Sequence, residues 1–394
     1  MKISKRFANV GDSSTLKITA LAKSMKNKGT DVAILAAGEP DFDTPNEIKE
    51  SAIKAIKDGF TGYTPVRGVP ELLELICEKF KNDNNIEYKN ENIIVSTGAK
   101  QSIYNVLQAL CDEESEVIIL APFWVSYLEM IKMTGATPVI VDTSLDNFKL
   151  NAKRIEEKIT SRTRMIIINS PNNPTGVVYT EKELREFSDV VVKHGIYCIS
   201  DEIYEKIIYS PHKHYSIASF NPQIKDLTFT VNGLSKTYAM TGWRIGFLGG
   251  EKRLVEKTLM VQTHSTSCTS SISQKAAIAA LKTSPEVAGR MISEFGKRRE
   301  FVIDYMKNVE NVNFIEPMGA FYLFMDFRKI IDENKSRFEN SESVCTKLLE
   351  EYNVAVIPGG AFGAEGWLRI SYAASLDEIK KGLSRIHDFV KRYA

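Results

Sequence analysis

The sequence has almost no excess charge and no long apolar run. Its 51 basic and 50 acidic residues nearly balance, so no general electrostatic attraction to nucleic acid or to an anionic membrane is expected. The longest apolar stretch, around Val117 to Val125, is far too short to span a bilayer. Basic residues near Met1 are not followed by an apolar segment, so no signal peptide is predicted. We therefore expect a cytoplasmic protein without a membrane or nucleic-acid partner.

Cysteine and histidine are scarce and scattered. The five cysteines are odd in number and show no C-x-x-C spacing, and the five histidines show no metal-ligand spacing. Such usage is typical of reduced thiols in a cytosolic protein, so neither disulfides nor a metal site is predicted. The cysteines are Cys77, Cys111, Cys198, Cys268 and Cys345.

Short β-branched runs alternate with helix-period segments through the first two thirds of the chain. Continuous apolar strands separated by helices indicate an α/β fold with a mainly parallel sheet covered on both faces. Thr180 and Glu183 form a capping box that opens one of these helices, and Gly195 closes it. Seven strands are predicted, at 92–96, 117–120, 138–141, 165–168, 196–199, 227–231 and 245–248.

The pattern changes near residue 290, where long charged helices and a meander of short strands begin. Strands are predicted at 319–326, 354–357 and 368–372. We expect an N-terminal segment, residues 1–45, that packs with a smaller α+β domain, residues 291–394. Residues 46–290 would form the large domain.

A lysine and an arginine follow the strand at 227–231. Lys236 lies in a Gly/Ser-rich turn, and Arg244 follows eight residues later between Gly242 and Gly246. A lysine shielded from water loses its proton easily and can form a Schiff base, whereas an arginine can bind a phosphate with two hydrogen bonds. Together they suggest pyridoxal 5'-phosphate (PLP) as the cofactor, although a surface lysine and a structural arginine are the commoner case.

Other strand ends carry polar residues that suit the same cofactor. Asn173 follows one strand in a proline-rich turn and could aim its amide at a ligand oxygen. Asp201 follows the next strand and could pair with a protonated pyridine nitrogen, with Tyr204 donating to the ring oxygen. An ordinary β-turn, and a helix-capping Asp beside a packing Tyr, are the alternatives. Ligands bind at the carboxyl ends of parallel strands, so these residues should converge.

Three further features are compatible with ligand binding. Gly98, Ala99 and Lys100 join a strand to a helix, where backbone N–H groups can bind a phosphate. Trp124 follows another strand and could stack on a flat heterocycle, although core packing is commoner. Arg369 lies in an apolar strand without an adjacent acid, so an external carboxylate or a structural ion pair is expected.

These residues, in this order, resemble the fold-type I, class I aminotransferases. The likeness runs from about Asp12 to Tyr393, is closest to the bacterial aspartate aminotransferase branch called subgroup Iβ, and includes the segments 36–45 and 63–72. It implies a PLP-dependent transferase fold with a large, seven-stranded domain and a smaller one. It also implies a homodimer with shared active sites, acting on small amino acids and 2-oxo acids.

The resemblance also implies a role for each matching residue. Lys236 would carry PLP and shuttle the α-proton, Asp201 would pair with the pyridine nitrogen, and Tyr204 and Asn173 would bind the ring oxygen. Trp124 would stack on the ring, while Arg369 and Gly38 would bind the substrate. The residues that would bind the phosphate are Gly98, Ala99, Lys100, Arg244 and, across the dimer interface, Tyr63.

One position departs from the family pattern. Many relatives carry a phosphate-binding serine three residues before the lysine, where this chain has Gly233. The contact at Gly233 is therefore missing, and Ser235 or backbone amides would replace it.

Substrate choice rests on two residues. Lys100 resembles a lysine that reads the distal carboxylate of aspartate, and Thr15 resembles a threonine associated with prephenate use. The resemblance thus implies exchange between L-aspartate and 2-oxoglutarate, with prephenate as an added acceptor. Aromatic or other amino acids, a PLP-dependent C–S β-lyase, and a PLP-binding transcription regulator are the alternatives.

Overall fold

The computed structural model describes residues 4–7, 10–11 and 14–394, and only the backbone of residues 5 and 14–16. No helix in this described part is long and apolar enough to cross a membrane. The strands in the described part are β1 Ala33–Ile34, β2 Ile93–Ser96, β3 Glu116–Ala121, β4 Thr137–Asp142, β5 Thr163–Asn169, β6 Tyr197–Asp201, β7 Thr228–Gly233, β8 Gly246–Gly249, β9 Asn313–Ile315, β10 Tyr322–Asp326, β11 Val354–Ala355, β12 Ile357–Pro358 and β13 Trp367–Ser371.

Helices precede, connect and follow these strands. In the same described residues they are α1 Ser14–Asn27, α2 Asn46–Lys57, α3 Pro70–Asn84, α4 Ala99–Leu110, α5 Ser126–Thr134, α6 Ala152–Glu156, α7 Glu181–His194, α8 Pro222–Leu227, α9 Lys252–Ser265, α10 Ser271–Lys282, α11 Pro285–Met306, α12 Arg328–Glu333, α13 Ser341–Tyr352 and α14 Leu376–Tyr393.

The main sheet has seven strands in the order β2-β8-β7-β6-β5-β3-β4. Only β8 runs antiparallel to its neighbours, β2 and β7, which confirms the predicted mainly parallel sheet. Alternate residues of β5 enter two separate cores: Ile166 and Ile168 pack in one, and Met165 and Ile167 in the other. A strand buried on both faces needs consecutive apolar side chains, and residues 165–168 of β5 provide them.

Helix α7 begins and ends where the sequence predicts. The Thr180 hydroxyl accepts a hydrogen bond from the Glu183 N–H, and the Glu183 carboxylate accepts one from the Thr180 N–H. Gly195 follows the helix with a φ of 62°, a left-handed conformation that glycine adopts without a steric penalty. These two ends fix the helix between β5 and β6.

A second sheet has four strands in the order β12-β13-β10-β9. The single strand predicted at 354–357 is wrong, because the chain changes sheet at Val356. Strand β11 pairs in parallel with β1, near the N-terminus, whereas β12 pairs with β13. Val356 itself is fully buried in the core beneath the second sheet. An apolar run predicts burial but does not reveal a change of partner strand.

The main sheet brings several chain segments to one edge. Strands β2, β5, β6 and β7 end there, at Ser96, Asn169, Asp201 and Gly233. Strand β8 is antiparallel and pairs Gly246 with Gly233, so it begins at this edge. The residues that follow β7 and those that precede β8 therefore lie close together, at the two ends of the segment 234–245.

Candidate active site

A cavity of about 480 Å³ opens at this edge of the main sheet. It collects residues from strand ends, from the segment after β1, from α1 and from the second sheet. The residues that line it are Thr19, Lys23, Ala36, Ala37, Gly38, Glu39, Ala99, Lys100, Trp124, Val125, Ser126, Tyr127, Asn169, Asn173, Asp201, Ile203, Tyr204, Ser235, Lys236, Thr241, Arg244, Tyr322 and Arg369.

Lys236 lies in the turn after β7 and donates a hydrogen bond from Nζ to the Gly38 carbonyl oxygen at 2.6 Å. Removal from water lowers the pKa of the Lys236 ammonium to about 8, while the nearby Glu39 carboxylate opposes the shift. A primary amine with such a pKa is neutral in a substantial fraction of molecules near neutral pH. It can therefore act as a nucleophile or as a base.

Asp201 is the last residue of β6 and is 4% exposed. Its carboxylate accepts hydrogen bonds from the Tyr127 hydroxyl at 2.5 Å and from the Ile203 N–H at 3.3 Å. Burial raises the pKa of Asp201 to about 6 despite these two donors. A buried carboxylate of this kind is stabilised by a cationic partner, so the geometry suits a protonated ring nitrogen.

Arg369 projects from β13 into the same cavity and is 3% exposed. Nη1 donates to Asn173 Oδ1 and Nη2 to the Ala36 carbonyl oxygen, each at 2.9 Å. Within the described part of the chain, Nε has no partner and no acidic side chain forms an ion pair with Arg369. The structural ion pair considered from the sequence is therefore absent there, and an external carboxylate would supply the missing acceptor.

Aromatic rings surround the Arg369 guanidinium. The Tyr322 ring centroid lies 4.4 Å from its central carbon, and the Phe362 centroid lies 5.1 Å away. The Tyr322 hydroxyl is hydrogen-bonded to the Tyr204 hydroxyl at 2.7 Å, and both rings are buried. The cationic end of the cavity is thus connected through Tyr322 to Tyr204.

The strand-to-helix turn at Gly98 packs closely against Arg244. Gly98 has a φ of 83°, and a Cβ atom there would lie 2.3 Å from Arg244 Nη2. A Cβ atom on Gly246 would lie 2.2 Å from the Ala99 nitrogen. Both glycines are therefore required for the guanidinium to lie beside the start of α4, whose first N–H groups have no partner within the helix. Together these groups make an anion site.

Lys100 and Trp124 lie side by side on the same wall. Lys100 Nζ is 4.8 Å from the Trp124 ring centroid. Partial burial and the nearby Arg244 guanidinium lower the pKa of Lys100. Ser235 is buried and lines the cavity next to Lys236.

Two predicted residues of the described part do not line this cavity, and the first of them, Gly98, lies beside it against Arg244. Tyr63 lies between α2 and α3, is 94% exposed and does not line the cavity of its own chain. Thr15 belongs to α1, but its side chain lies outside the described residues.

Several cavity residues were missed by sequence reasoning. Tyr127 holds Asp201, and Tyr322 contacts both Tyr204 and Arg369. Asn169 accepts from the Asn173 N–H and donates to the Asp201 carbonyl, each at 2.9 Å. Asn169 could have been noticed as a polar residue at the end of an apolar strand, whereas Tyr322 reaches the cavity from a distant strand.

Comparison with known proteins agrees with this geometry. The family model described as "Aminotransferase class I and II" matches residues 30–386. The chain belongs to this aminotransferase family. The first expectation from the sequence, a class I aminotransferase of fold type I, is therefore confirmed.

Individual relatives of this aminotransferase cover nearly its whole length. It is 46% identical over 389 residues to the "Probable aspartate/prephenate aminotransferase" of Rickettsia conorii, covering 98% of this chain and 97% of the relative. It is 43% identical over 395 residues to the aspartate aminotransferase of Geobacillus stearothermophilus, covering 100% of both. The crystal structure of aspartate aminotransferase from Rhizobium meliloti superposes with a TM-score of 0.95 at 39% identity, covering 100% of both chains.

A further solved structure is the aspartate aminotransferase from Thermus thermophilus with maleate. It has a TM-score of 0.92 and 37% identity, and the match covers 98% of this aminotransferase and 99% of that chain. Members of this family are PLP-dependent enzymes. The cavity fits that group, because it offers an amine of lowered pKa, a buried carboxylate that forms no ion pair with the described residues, and a guanidinium beside the start of α4.

Proposed function

We propose that this aminotransferase uses PLP to transfer the amino group of L-aspartate to 2-oxoglutarate, giving oxaloacetate and L-glutamate. The observation that carries the proposal is Arg369, a buried guanidinium that shares one cavity with Lys236 and Asp201 and forms no ion pair with any carboxylate of the described residues. The names of the relatives from Rickettsia conorii and Geobacillus stearothermophilus support aspartate as the donor.

The proposed cofactor contacts follow from the placement of each group. Gly98, Ala99, Lys100 and Arg244 would hold the phosphate, since they lie together at the start of α4, and Ser235 would add a hydroxyl from the cavity lining. Asp201 would pair with the ring nitrogen, while Tyr204 and Asn173 would contact the ring oxygen. Trp124 would stack on the ring.

Lys236 would hold the cofactor covalently through Nζ and, once released by the substrate amine, move the α-proton. When bound, PLP supplies a ring that stabilises the negative charge left at the α-carbon. A pKa near 8 suits this dual use, because a base acts best when its pKa is close to the working pH. The Gly38 carbonyl, 2.6 Å from Nζ, orients the amine within the cavity.

Arg369 would bind the α-carboxylate of the substrate, with Gly38 and Asn173 beside it. The Arg369 Nη atoms are already held by Asn173 and Ala36, so the guanidinium plane is fixed before substrate arrives. Lys100 would bind the distal carboxylate from the Trp124 wall. The solved relative with maleate supports a cavity for two carboxylates.

Prephenate is the second acceptor to test, since relatives in Rickettsia are named aspartate/prephenate aminotransferases. The sequence assigns Thr15 to this use. Thr15 belongs to α1, and Thr19 on the following helical turn lines the cavity. The position of Thr15 in α1, one turn before Thr19, supports the assignment of Thr15 to prephenate.

We further propose a cytoplasmic homodimer in which Tyr63 reaches the phosphate of the partner's site. A tyrosine that is 94% exposed and remote from its own cavity supports such a contact. The proposed domains remain residues 1–45 packed with 291–394, and 46–290. Pairing of β1 with β11 supports the association of the N-terminal segment with the second domain.

The test is a half-reaction on purified, PLP-loaded protein. L-aspartate is added without any oxo acid, and the absorbance of the bound cofactor is recorded before and after 2-oxoglutarate is added. We expect conversion to the pyridoxamine form by aspartate and reversal by 2-oxoglutarate. Lys236→Ala is the control that should show neither change. Release of pyruvate, ammonia and homocysteine from cystathionine instead would identify a C–S β-lyase.

A further inference from the structure

A second polar cluster lies behind the cofactor cavity, at the end of β6. Glu202 directly follows the last residue of β6, Asp201, and Asp201 lines the cavity whereas Glu202 does not. The Glu202 side chain is buried, with 1% of its area exposed. It lies among residues of α3 and of the segment 214–216, which none of the proposed catalytic steps uses.

Four side chains donate hydrogen bonds to the Glu202 carboxylate. Ser200 Oγ contacts Oε1 at 2.9 Å. Asn84 Nδ2 at 3.1 Å, Ser216 Oγ at 2.5 Å and His214 Nε2 at 2.9 Å contact Oε2. A carboxylate with this many donors has almost no freedom to reorient.

Glu205 joins the same cluster from the next turn. Its carboxylate pairs with Lys79 and accepts from Asn84 Nδ2 at 2.6 Å. The charged groups in the cluster with Glu202 are Lys79 from α3, His214 from the segment after β6, and Glu205 from its own segment. Asp201 precedes Glu202 in the chain but lines the cavity. Two buried carboxylates with two basic partners form a compensated cluster.

The backbone between the cluster and the cavity is short and fixed. The Glu202 N–H donates to the Val231 carbonyl at 2.9 Å, and the Glu205 N–H donates to the Glu202 carbonyl at 2.9 Å. The Ile203 N–H, one residue beyond Glu202, donates to Asp201 Oδ1. Any rotation of the chain at Glu202 would therefore move a donor of the Asp201 carboxylate and the turn that carries Tyr204.

We propose that Glu202 is a positioning residue for Asp201 and Tyr204, anchored by Ser200, Asn84, His214 and Ser216 on the far side of β6. The inference rests on the proposed function, because Asp201 and Tyr204 are assigned to the cofactor there. Glu202 touches neither substrate nor cofactor in this arrangement. It fixes the backbone that aims the two side chains that do.

The test compares Glu202→Gln with Glu205→Gln, two isosteric changes in one buried cluster. PLP is titrated into the cofactor-free protein, and the pH midpoint of the absorbance of bound PLP is recorded for each variant. We expect Glu202→Gln to weaken PLP binding about tenfold, the lower end of the usual effect of residues that orient a bound group, and to shift the midpoint. Glu205→Gln should change PLP affinity by less than about twofold and leave the midpoint in place, because the Glu205 carboxylate contacts Lys79 and Asn84 but not Ser200 of β6.

Equal PLP affinities and midpoints in the two variants would overturn the inference and leave the cluster a structural one. If Glu202→Gln does not fold, His214→Phe is measured instead, because it removes one donor to Glu202 from a segment outside the sheet. PLP affinity and the pH midpoint should then change in the same direction as expected for Glu202→Gln, but less. An unchanged His214→Phe would also overturn the inference. Failure of the unaltered protein to bind PLP would instead contradict the proposed function itself.

Discussion

The Tyr127 hydroxyl donates a hydrogen bond to Oδ2 of Asp201 at 2.5 Å, and both residues line the cavity. Burial raises the pKa of the Asp201 carboxyl, and the Tyr127 hydrogen bond opposes that rise. Tyr127 therefore helps to keep Asp201 ionised where the pyridine nitrogen of the proposed cofactor would lie.

Tyr127→Phe removes this donor without changing the ring. Hydrogen bonds to a charged group contribute about 1.5–3 kcal/mol, so we expect PLP to bind roughly tenfold or more weakly at pH 8. The measurement is a titration of cofactor-free protein with PLP. Tyr179→Phe, also a buried tyrosine but one outside the cavity, is the matched control. Equal affinities in the Tyr127 variant and the unaltered protein would remove Tyr127 from the site.

Asp201→Asn should stabilise the cofactor-free protein while abolishing transamination. A folded-state pKa of about 6, above the ordinary 3.8, means that the folded protein binds this proton more tightly than the unfolded chain does. Ionisation of Asp201 therefore reduces folding stability progressively from about pH 4 to pH 6, by an amount on the order of 1–3 kcal/mol. Above pH 6 the loss is complete and constant.

Urea unfolding of the two proteins between pH 4.5 and pH 8 measures this effect, with all samples free of PLP. The stability advantage of the Asp201→Asn protein should increase up to about pH 6 and then level off, as the linkage requires. A stability difference between the two proteins that does not change with pH would show that folding does not raise the pKa of Asp201 in the cofactor-free state.

Arg369→Lys tests the carboxylate site. The substitution keeps the charge but loses the planar fork that binds a carboxylate with two hydrogen bonds. We expect aspartate and alanine to bind about 10–100-fold more weakly, corresponding to roughly 1.5–3 kcal/mol. Both donors should be affected equally, since both carry an α-carboxylate. An unchanged affinity for either amino acid in the half-reaction would contradict the assignment of Arg369.

Lys100→Ala should discriminate between the same two donors. Aspartate has a distal carboxylate and alanine has none, so loss of Lys100 should reduce kcat/KM for aspartate at least about tenfold more than for alanine. Lys100→Met, which keeps an unbranched apolar chain beside Trp124 and removes the charge, is the control for packing. Equal losses for both donors would assign Lys100 to the phosphate.

The main sheet and its carboxyl edge were predictable because their signals are local. Strands β2 to β8 are apolar runs, and the polar residues that follow them are close in sequence. The sequence therefore predicts that Asn173, Asp201 and Lys236 lie at one edge of the sheet. The structure brings them into one cavity.

Contacts between remote segments were not predictable in the same way. Tyr322 reaches Tyr204 from the second sheet, and Glu202 meets Asn84 across more than a hundred residues. The division of residues 354–357 between two sheets likewise depends on β1 and β13, which are far away in the chain. Periodicity indicates which face is buried but not which partner covers it.

The covalent attachment of PLP tests the central claim most directly. Three lysines of the described residues, Lys23, Lys100 and Lys236, line the cavity, and burial lowers the pKa of Lys236 to about 8. PLP-loaded protein is reduced with borohydride, digested and mapped by mass spectrometry. We expect the reduced cofactor on the peptide that contains Lys236, and none in the Lys236→Ala protein. Attachment at Lys23 or Lys100, or no attachment, would contradict this account.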